Sequence, residues 1–322
     1  MMKRFIGPIS IRYMHDSREI EKNRPQRNIV DPNIPFHFLH EMEPDKEGNL
    51  QTVNTIFLTS KECVFKCLMC DLWKNTLLED TPEGAIIKQI DYALSRLPEA
   101  SVIKLYNSGN FFDQKSIPLS DYAGIIDRVK NFKKVIVENH AKLCGQACVD
   151  FNDQLNGKLE IAMGLETIHP DSLPKLNKQL SQEDFKKAAN YLSSHGIDMR
   201  AFILLNPPFI IDEKESIEWT IKTIQFAFDC GVGCCSIIPT RGGNGMMEKL
   251  QEQGYYVPPS LNALEEVFDR GLALKQGQVL VDTWDIGFLS NCTHCFEERK
   301  SRLNQMNLNQ KIYQSIACSY HE

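Results

Sequence analysis

Residues 53–73 read VNTIFLTSKECVFKCLMCDLW, a β-branched run followed directly by a loop with three cysteines. Amphipathic runs typical of helices alternate with further strand-like runs along the rest of the chain. The strand-like runs lie at residues 102–106, 135–138, 159–164, 199–205, 232–238 and 279–284. This alternation predicts an α/β fold with a parallel sheet. No glycine-rich dinucleotide turn is present, which favours a full or partial (β/α)6-type TIM-like barrel over a doubly wound sheet.

The composition divides the chain into three parts. Residues 1–50 are polar and rich in proline and charge, which predicts an N-terminal arm or cap with little regular structure. Residues 51–240 contain the core barrel. Residues 241–322 form a C-terminal extension that carries further cysteines and completes or caps the barrel.

The overall composition indicates a soluble, cytoplasmic globular protein. Of its 322 residues, 42% are hydrophobic and 24% are charged, which excludes a disordered or fibrous chain. No uncharged run approaches the ~18 apolar residues of a membrane span. The net charge of −6 argues against a large phosphate-binding surface. Cytoplasmic cysteines are reduced, so clustered ones are expected to bind metal or act in catalysis.

The loop after the first strand carries Cys63, Cys67 and Cys70. Three thiolates on one short loop can converge on a single iron–sulfur cube. A cube with three protein ligands keeps one iron open, and an open position on a metal centre is where a substrate or cofactor binds. The alternatives are a zinc knuckle and three unrelated buried thiols, but zinc favours Cys-x-x-Cys pairs that supply four ligands.

This spacing resembles the Cys-x-x-x-Cys-x-x-Cys motif of the radical SAM superfamily. The resemblance implies a 4Fe–4S cluster on the three cysteines, with the amino and carboxylate groups of S-adenosylmethionine (SAM) on the fourth iron. It implies that one electron, from a donor such as flavodoxin or ferredoxin, cleaves SAM to methionine and a 5′-deoxyadenosyl radical that abstracts hydrogen. The chain departs from the family at Met69, where an aromatic residue is usual; its aromatic residue is Phe65.

Small residues follow the second strand, in the segment YNSGN at residues 106–110. Small side chains let a backbone approach a ligand closely. The resemblance implies that this loop grips the amino group of SAM, with Asn107, Ser108 and Gly109 at the cofactor. The alternative is an ordinary turn between a strand and a helix.

Charged residues at three other strand positions are candidates for cofactor contact. Glu138 and Glu166 close the third and fourth strands, and carboxylates at a barrel mouth can bind ribose hydroxyls or an ammonium group. Arg200 lies at the start of the fifth strand, and its planar guanidinium suits the carboxylate of SAM. For Arg200, a solvated surface cation is the alternative.

Other stretches narrow the resemblance, which spans about residues 57–309. Residues 159–178 look like the elongator-type and methylthiotransferase-type tRNA enzymes. Residues 104–109 and 204–209 resemble the archaeosine-biosynthesis radical SAM proteins, which finish a modified deazaguanine on tRNA, and residues 238–248 look like a bacterial offshoot. A tRNA substrate depends on this resemblance alone. A small-molecule or natural-product radical SAM enzyme and a non-enzymatic iron–sulfur or zinc scaffold remain alternatives.

The remaining cysteines include two pairs. Cys292 and Cys295 follow the last strand, and Cys144 and Cys148 follow the third strand on one face of a predicted helix. If all four lie on the same side of the barrel, they suffice for zinc or for a second iron–sulfur cluster. Each pair alone is weak evidence, because cysteine is often buried as a small hydrophobe. The other thiols, Cys318 among them, are expected in the core or at the surface.

Overall fold

A computed structural model describes residues 16–320 and places eight strands in one sheet, in chain order. The first two strands form an antiparallel hairpin, and every later strand pairs in parallel with the strand before it. The strands are β1 His37–Pro44, β2 Leu50–Phe57, β3 Val102–Tyr106, β4 Lys134–Glu138, β5 Lys158–Glu166, β6 Asp198–Leu205, β7 Cys234–Pro239 and β8 Gln278–Val281.

Helices connect the parallel strands, as crossovers between parallel strands require. None of the helices within residues 16–320 combines the length and the apolar character of a membrane span. The α-helices of this region are α1 Ser17–Lys22, α2 Ala85–Leu94, α3 Tyr122–Val129, α4 Gln146–Asn152, α5 Gln182–Ser194, α6 Glu213–Asp229, α7 Met246–Glu252, α8 Leu261–Ala273 and α9 Phe296–Asn309.

The outer face of the sheet is apolar and packs against the helices. Ile103, Leu105, Val135, Val137 and Ile161 are fully buried in this core. Because side chains alternate along a strand, the residues between these point to the other face of the sheet. Burying the outer face against helices supplies the main hydrophobic stabilisation of the fold.

The sheet curls until its two edge strands approach each other. At the start of β8, Gln278 donates its side-chain amide to the carbonyls of Pro44 and Asp45, beside the end of β1. Beyond the other end of β8, the Trp284 ring lies 5.4 Å from that of His37, where β1 begins. In the described part of the chain no backbone ladder joins β1 to β8. The prediction of a partial TIM-like barrel is therefore confirmed.

A buried ion-pair network fills part of the interior. Arg200 of β6 pairs with Glu160 of β5 at 2.8 Å and also with Glu43 of β1. Lys104 of β3 pairs with Glu43 and, at 3.0 Å, with Glu41. Strands β1, β3 and β6 are not neighbours in the sheet, so these contacts cross the inside of the barrel.

Residues 16–50 contain more regular structure than their composition suggests. Residues 37–44 form strand β1, and Ser17–Lys22 form a short helix. The strand has no apolar alternation because two of its residues, Glu41 and Glu43, pair with buried cations of the interior. An edge strand that contributes carboxylates looks like a polar arm in a sequence pattern.

Candidate cofactor site at the carboxyl edge of the sheet

The three-cysteine loop leaves the carboxyl end of β2, and all three cysteines are half-buried. Burial raises the pKa of each thiol, that of Cys67 to about 11. The pKa values of Cys67 and Cys70 are raised further by the charges of the other loop thiols. These thiols are therefore protonated at neutral pH unless a bound cation replaces their protons.

The distance between cysteine sulfurs differs between a zinc site and a 4Fe–4S cluster. The sulfurs of one tetrahedral zinc site stand about 3.8 Å apart, because each Zn–S bond is about 2.3 Å long. Within residues 16–320, the only trio of potential ligand atoms that lies within 4.8 Å is elsewhere in the chain. At least one pair among the sulfurs of Cys63, Cys67 and Cys70 is therefore more than 4.8 Å apart. A cube binds its cysteines on different iron atoms, which accommodates a wider separation of sulfurs than one zinc ion does.

Asparagine side chains hold the cysteine loop by its backbone carbonyls. Asn244 donates to the carbonyls of Leu68 and Cys70, at 2.8 and 3.1 Å. Asn177 donates to the carbonyl of Lys66 at 2.7 Å. These residues follow β7 and β5, so elements far apart in sequence fix the loop in place. Sequence patterns did not identify either asparagine, because each contacts only backbone atoms of the loop.

The N-terminal segment contacts the same loop through ion pairs with Glu62. The carboxylate of Glu62 accepts from Arg24 at 2.8 Å and pairs with Arg27 and Lys66. Both guanidinium groups also lie over the Trp73 ring, at 4.7 and 5.4 Å. Burial acts to raise the pKa of Glu62, but these hydrogen bonds and charges lower it to about 2.

Asn110 and His140 contact the loop directly. The Asn110 amide nitrogen donates to the sulfur of Cys63 at 3.1 Å, and its oxygen accepts from the His140 backbone N–H at 2.8 Å. The Phe65 ring stacks on the His140 ring with centroids 3.8 Å apart. Burial and the nearby charge of Lys178 lower the pKa of His140 to about 4, so the imidazole is neutral.

The small-residue loop and Glu138 come together beside Cys63. The backbone N–H of Gly109 donates to the Glu138 carboxylate at 3.2 Å, and those of Asn107 and Ser108 also donate to it. Burial raises the pKa of Glu138 to about 7 despite these hydrogen bonds. Ser108 has a left-handed φ of 55°. This conformation is strained for a residue other than glycine, and such strain clusters at functional sites. Glu138 thus braces the predicted cofactor loop.

Glu166 also lies at this site and forms an ion pair with Lys178. The two side chains are buried and meet at 2.7 Å. A bulge between Gly164 and Glu166 re-aims the end of β5, and Glu166 has a φ of 65°. The charges of both residues act on the Cys67 thiol. Lys178 was not identified from the sequence, because one lysine in a charged stretch carries no distinctive signal.

Arg200 does not reach this edge, which corrects the expectation that it pairs with SAM. It is the third residue of β6, well before the carboxyl end of that strand at Leu205. Its side chain is 5% exposed and pairs with Glu43 and Glu160 inside the barrel. Its charge therefore balances buried carboxylates, and it is not a surface cation either.

The two cysteine pairs do not join. Cys144 packs near the sulfur of Met163 at 3.8 Å, and Cys148 is fully buried in the core. Cys292 and Cys295 instead meet Cys318, with all three sulfurs within 4.8 Å of one another. The expectation of a four-cysteine site is therefore wrong for Cys144 and Cys148, which do not join Cys292 and Cys295. A third thiol from the C-terminal tail was missed because its sequence separation gives no indication of the return of the chain.

No protein-family model matches the chain. The chain is 24% identical over 315 residues to an uncharacterized protein of Methanocaldococcus jannaschii, covering 91% of this chain and 86% of that one. It is 26% identical over 267 residues to the archaeosine synthase subunit beta of Methanosarcina acetivorans, covering 76% and 74%. The structure of spore photoproduct lyase complexed with dinucleoside spore photoproduct covers 87% of both chains, with a TM-score of 0.52 and 12% identity.

Proposed function

We propose that this chain is a radical SAM enzyme that binds a 4Fe–4S cluster through Cys63, Cys67 and Cys70. The observation that carries the proposal is the position of the loop: three half-buried cysteines with the spacing Cys-x-x-x-Cys-x-x-Cys at the carboxyl end of β2. When bound, the cluster and SAM would supply reductive cleavage of the sulfonium and a radical for hydrogen abstraction.

The residues around the loop stabilise charge on its sulfurs. Asn110 donates an N–H to Cys63, and such a hydrogen bond favours negative charge on a cluster ligand. Lys178 is a buried cation whose charge acts on Cys63 and Cys67. The stacked Phe65 and His140 rings cover one side of the loop, which limits the access of water to the thiolates.

The neighbouring loop supplies the proposed contacts to SAM. Ser108 and Gly109 present backbone next to Cys63, where a Cβ on Gly109 would meet the Cys63 Cβ at 3.5 Å. Glu138 holds this loop and has a pKa of about 7, so an ammonium group beside it would favour the ionised form. Lys178, paired with Glu166, replaces Arg200 as the cation proposed to face the SAM carboxylate.

Metal loading tests the site. Anaerobic reconstitution of the full chain with iron and sulfide is expected to give the broad visible absorption of a 4Fe–4S cluster, and addition of SAM should perturb its spectrum. Replacement of Cys63, Cys67 and Cys70 by serine should abolish both signals. Cys230→Ser is the matched control, because that thiol lies at the end of α6, outside the cysteine loop. A cluster that persists in the loop variant would contradict the assignment.

We propose a modified nucleoside of tRNA as the substrate. Support comes from the similarity to archaeosine synthase subunit beta and from the fold shared with a lyase solved with a dinucleoside. The proposed electron donor of the enzyme is a flavodoxin or ferredoxin.

The nucleoside profile of tRNA from a deletion strain tests the substrate: one missing modification supports the proposal. An unchanged profile favours a small-molecule substrate.

A further inference from the structure

Outside the cofactor site, three thiols converge at the C-terminal end of the chain. Cys292 follows the turn Ile286–Leu289, Cys295 caps the start of α9, and Cys318 lies in the irregular segment after that helix. Their sulfurs lie within 4.8 Å of one another, and those of Cys292 and Cys318 are 3.8 Å apart. We propose that these three cysteines bind one zinc ion, which fastens the C-terminal segment to the barrel.

The separation of the sulfurs is compatible with a single tetrahedral ion. Sulfurs that share one zinc ion stand about 3.8 Å apart, which matches the separation of Cys292 and Cys318. A cluster that binds each cysteine on a different iron needs a wider trio. The backbone N–H groups of His294 and Cys295 also donate to the Cys292 sulfur, an arrangement that favours a metal-bound thiolate over a neutral thiol.

Contacts before and after Cys318 in the sequence hold the tail at this position. Before it, the Arg302 guanidinium donates to the carbonyls of Tyr313 and Gln314, at distances from 2.7 to 3.1 Å. After it, the Tyr320 ring stacks on the His294 ring, with centroids 3.8 Å apart and planes 7° from parallel. The third thiol is therefore brought to the pair by contacts that do not involve sulfur.

The fourth ligand of the ion comes from outside this trio. Within residues 16–320 no fourth histidine, cysteine or carboxylate ligand atom lies within 4.8 Å of all three sulfurs. Cys292 lines a cavity of about 510 Å³ together with Asn262, Thr293 and His294. This space admits a water molecule as the fourth ligand. A segment without helix or strand is the kind of structure that a structural metal stabilises.

The zinc content of the full chain tests the proposal independently of the cofactor site. The variant with serine at Cys63, Cys67 and Cys70 serves as background, because apo loop thiols also take up zinc. In this background we expect about one zinc per chain by mass spectrometry, and at least a tenfold lower content after Cys318→Ser or Cys292→Ser. Cys144→Ser is the control and should keep its zinc, because Cys144 lies outside the trio.

Proteolysis provides a second readout. Trypsin should cleave at Lys311 faster in Cys318→Ser, or after chelation, than in the zinc-loaded protein. Three results would overturn the proposal: no zinc in the background variant, iron with cluster absorption at this trio, or loss of two free thiols to a Cys292–Cys318 disulfide. A failure of the proposed radical chemistry leaves these measurements unaffected, since the background variant lacks the loop cysteines.

Discussion

The side-chain amide of Asn110 joins the sulfur of Cys63, at 3.1 Å, to the backbone N–H of His140, at 2.8 Å. One asparagine after β3 thus links the cysteine loop after β2 with the segment after β4. Both ends of the amide are used, so its orientation is fixed. The first cysteine of the loop is positioned by three neighbouring strands.

Asn110→Ala should leave the cluster bound but lower its reduction potential. Reduction adds negative charge to the sulfurs, and the lost N–H donor stabilised that charge. The measurement is a redox titration of the reconstituted protein followed by electron paramagnetic resonance. Asn309→Ala is the control, because its amide donates only to a carbonyl of its own helix. An unchanged potential in Asn110→Ala would contradict the assigned role of this hydrogen bond.

Glu62→Gln should destabilise the protein by about 2 kcal/mol, since it weakens charge-assisted hydrogen bonds to three partly buried cations. Glu62 pairs with Arg24, Arg27 and Lys66. Glu218→Gln is the matched control: its pair with Arg270 is exposed, so a loss below about 1 kcal/mol is expected. Urea unfolding measures both. Equal losses of stability in the two variants would show that the ion pairs of Glu62 stabilise the protein no more than an exposed ion pair does.

The same carboxylate predicts a loss of stability in acid. Its folded pKa of about 2 lies below its ordinary value of 4.5, so the unfolded chain binds the proton more readily in this window. The stabilisation is present above pH 4.5 and is lost as the pH falls towards 2. Glu62→Gln should flatten this part of the pH profile of unfolding. A profile identical to wild type would exclude Glu62 as its source.

Glu138 predicts the opposite dependence. Its folded pKa of about 7 lies above its ordinary value of 4.5, so the folded protein keeps a proton that the unfolded chain has released. Stability should therefore fall as the pH rises through this window, by at most about 1.4 kcal/mol per pH unit. Glu138→Gln should remove this slope in unfolding experiments on the apo protein. Its persistence would contradict the raised pKa.

Arg200→Met should reduce stability by about 3–5 kcal/mol and leave the affinity for SAM unchanged. The substitution removes one of the two cations that each buried carboxylate contacts, so Glu43 keeps only Lys104 and Glu160 keeps only Lys134. Urea unfolding and SAM titration of the reconstituted protein measure the two quantities. Weaker SAM binding with normal stability would restore Arg200 to the cofactor site.

Sequence patterns located the parallel strands because their outer faces are strongly apolar. They located the cysteine loop because its spacing alone is informative. Strand β1 escaped prediction because its inward residues are charged. The ion pair between Arg200 and Glu43 could not be predicted from the sequence either. The two residues are 157 positions apart, and only the curl of the sheet brings them together.

The same limit explains the cysteines. Cys63, Cys67 and Cys70 share one loop, so their convergence is a local property of the sequence. The approach of Cys318 to Cys292, 26 residues apart, depends on the direction of α9 and on the path of the irregular tail that follows it. Cys144 precedes α4, which begins at Gln146, so the expected helix face with Cys148 does not form; Cys148 is buried in the apolar core and Cys144 packs against it.

Release of 5′-deoxyadenosine from SAM tests the central claim most directly. The full chain, reconstituted with iron and sulfide and reduced with dithionite under anaerobic conditions, is incubated with SAM, and the nucleoside is quantified by mass spectrometry. The account predicts release by the wild-type chain and only background release by the variant with serine at Cys63, Cys67 and Cys70. Cluster-loaded protein that leaves SAM intact, or equal release by that variant, would contradict it.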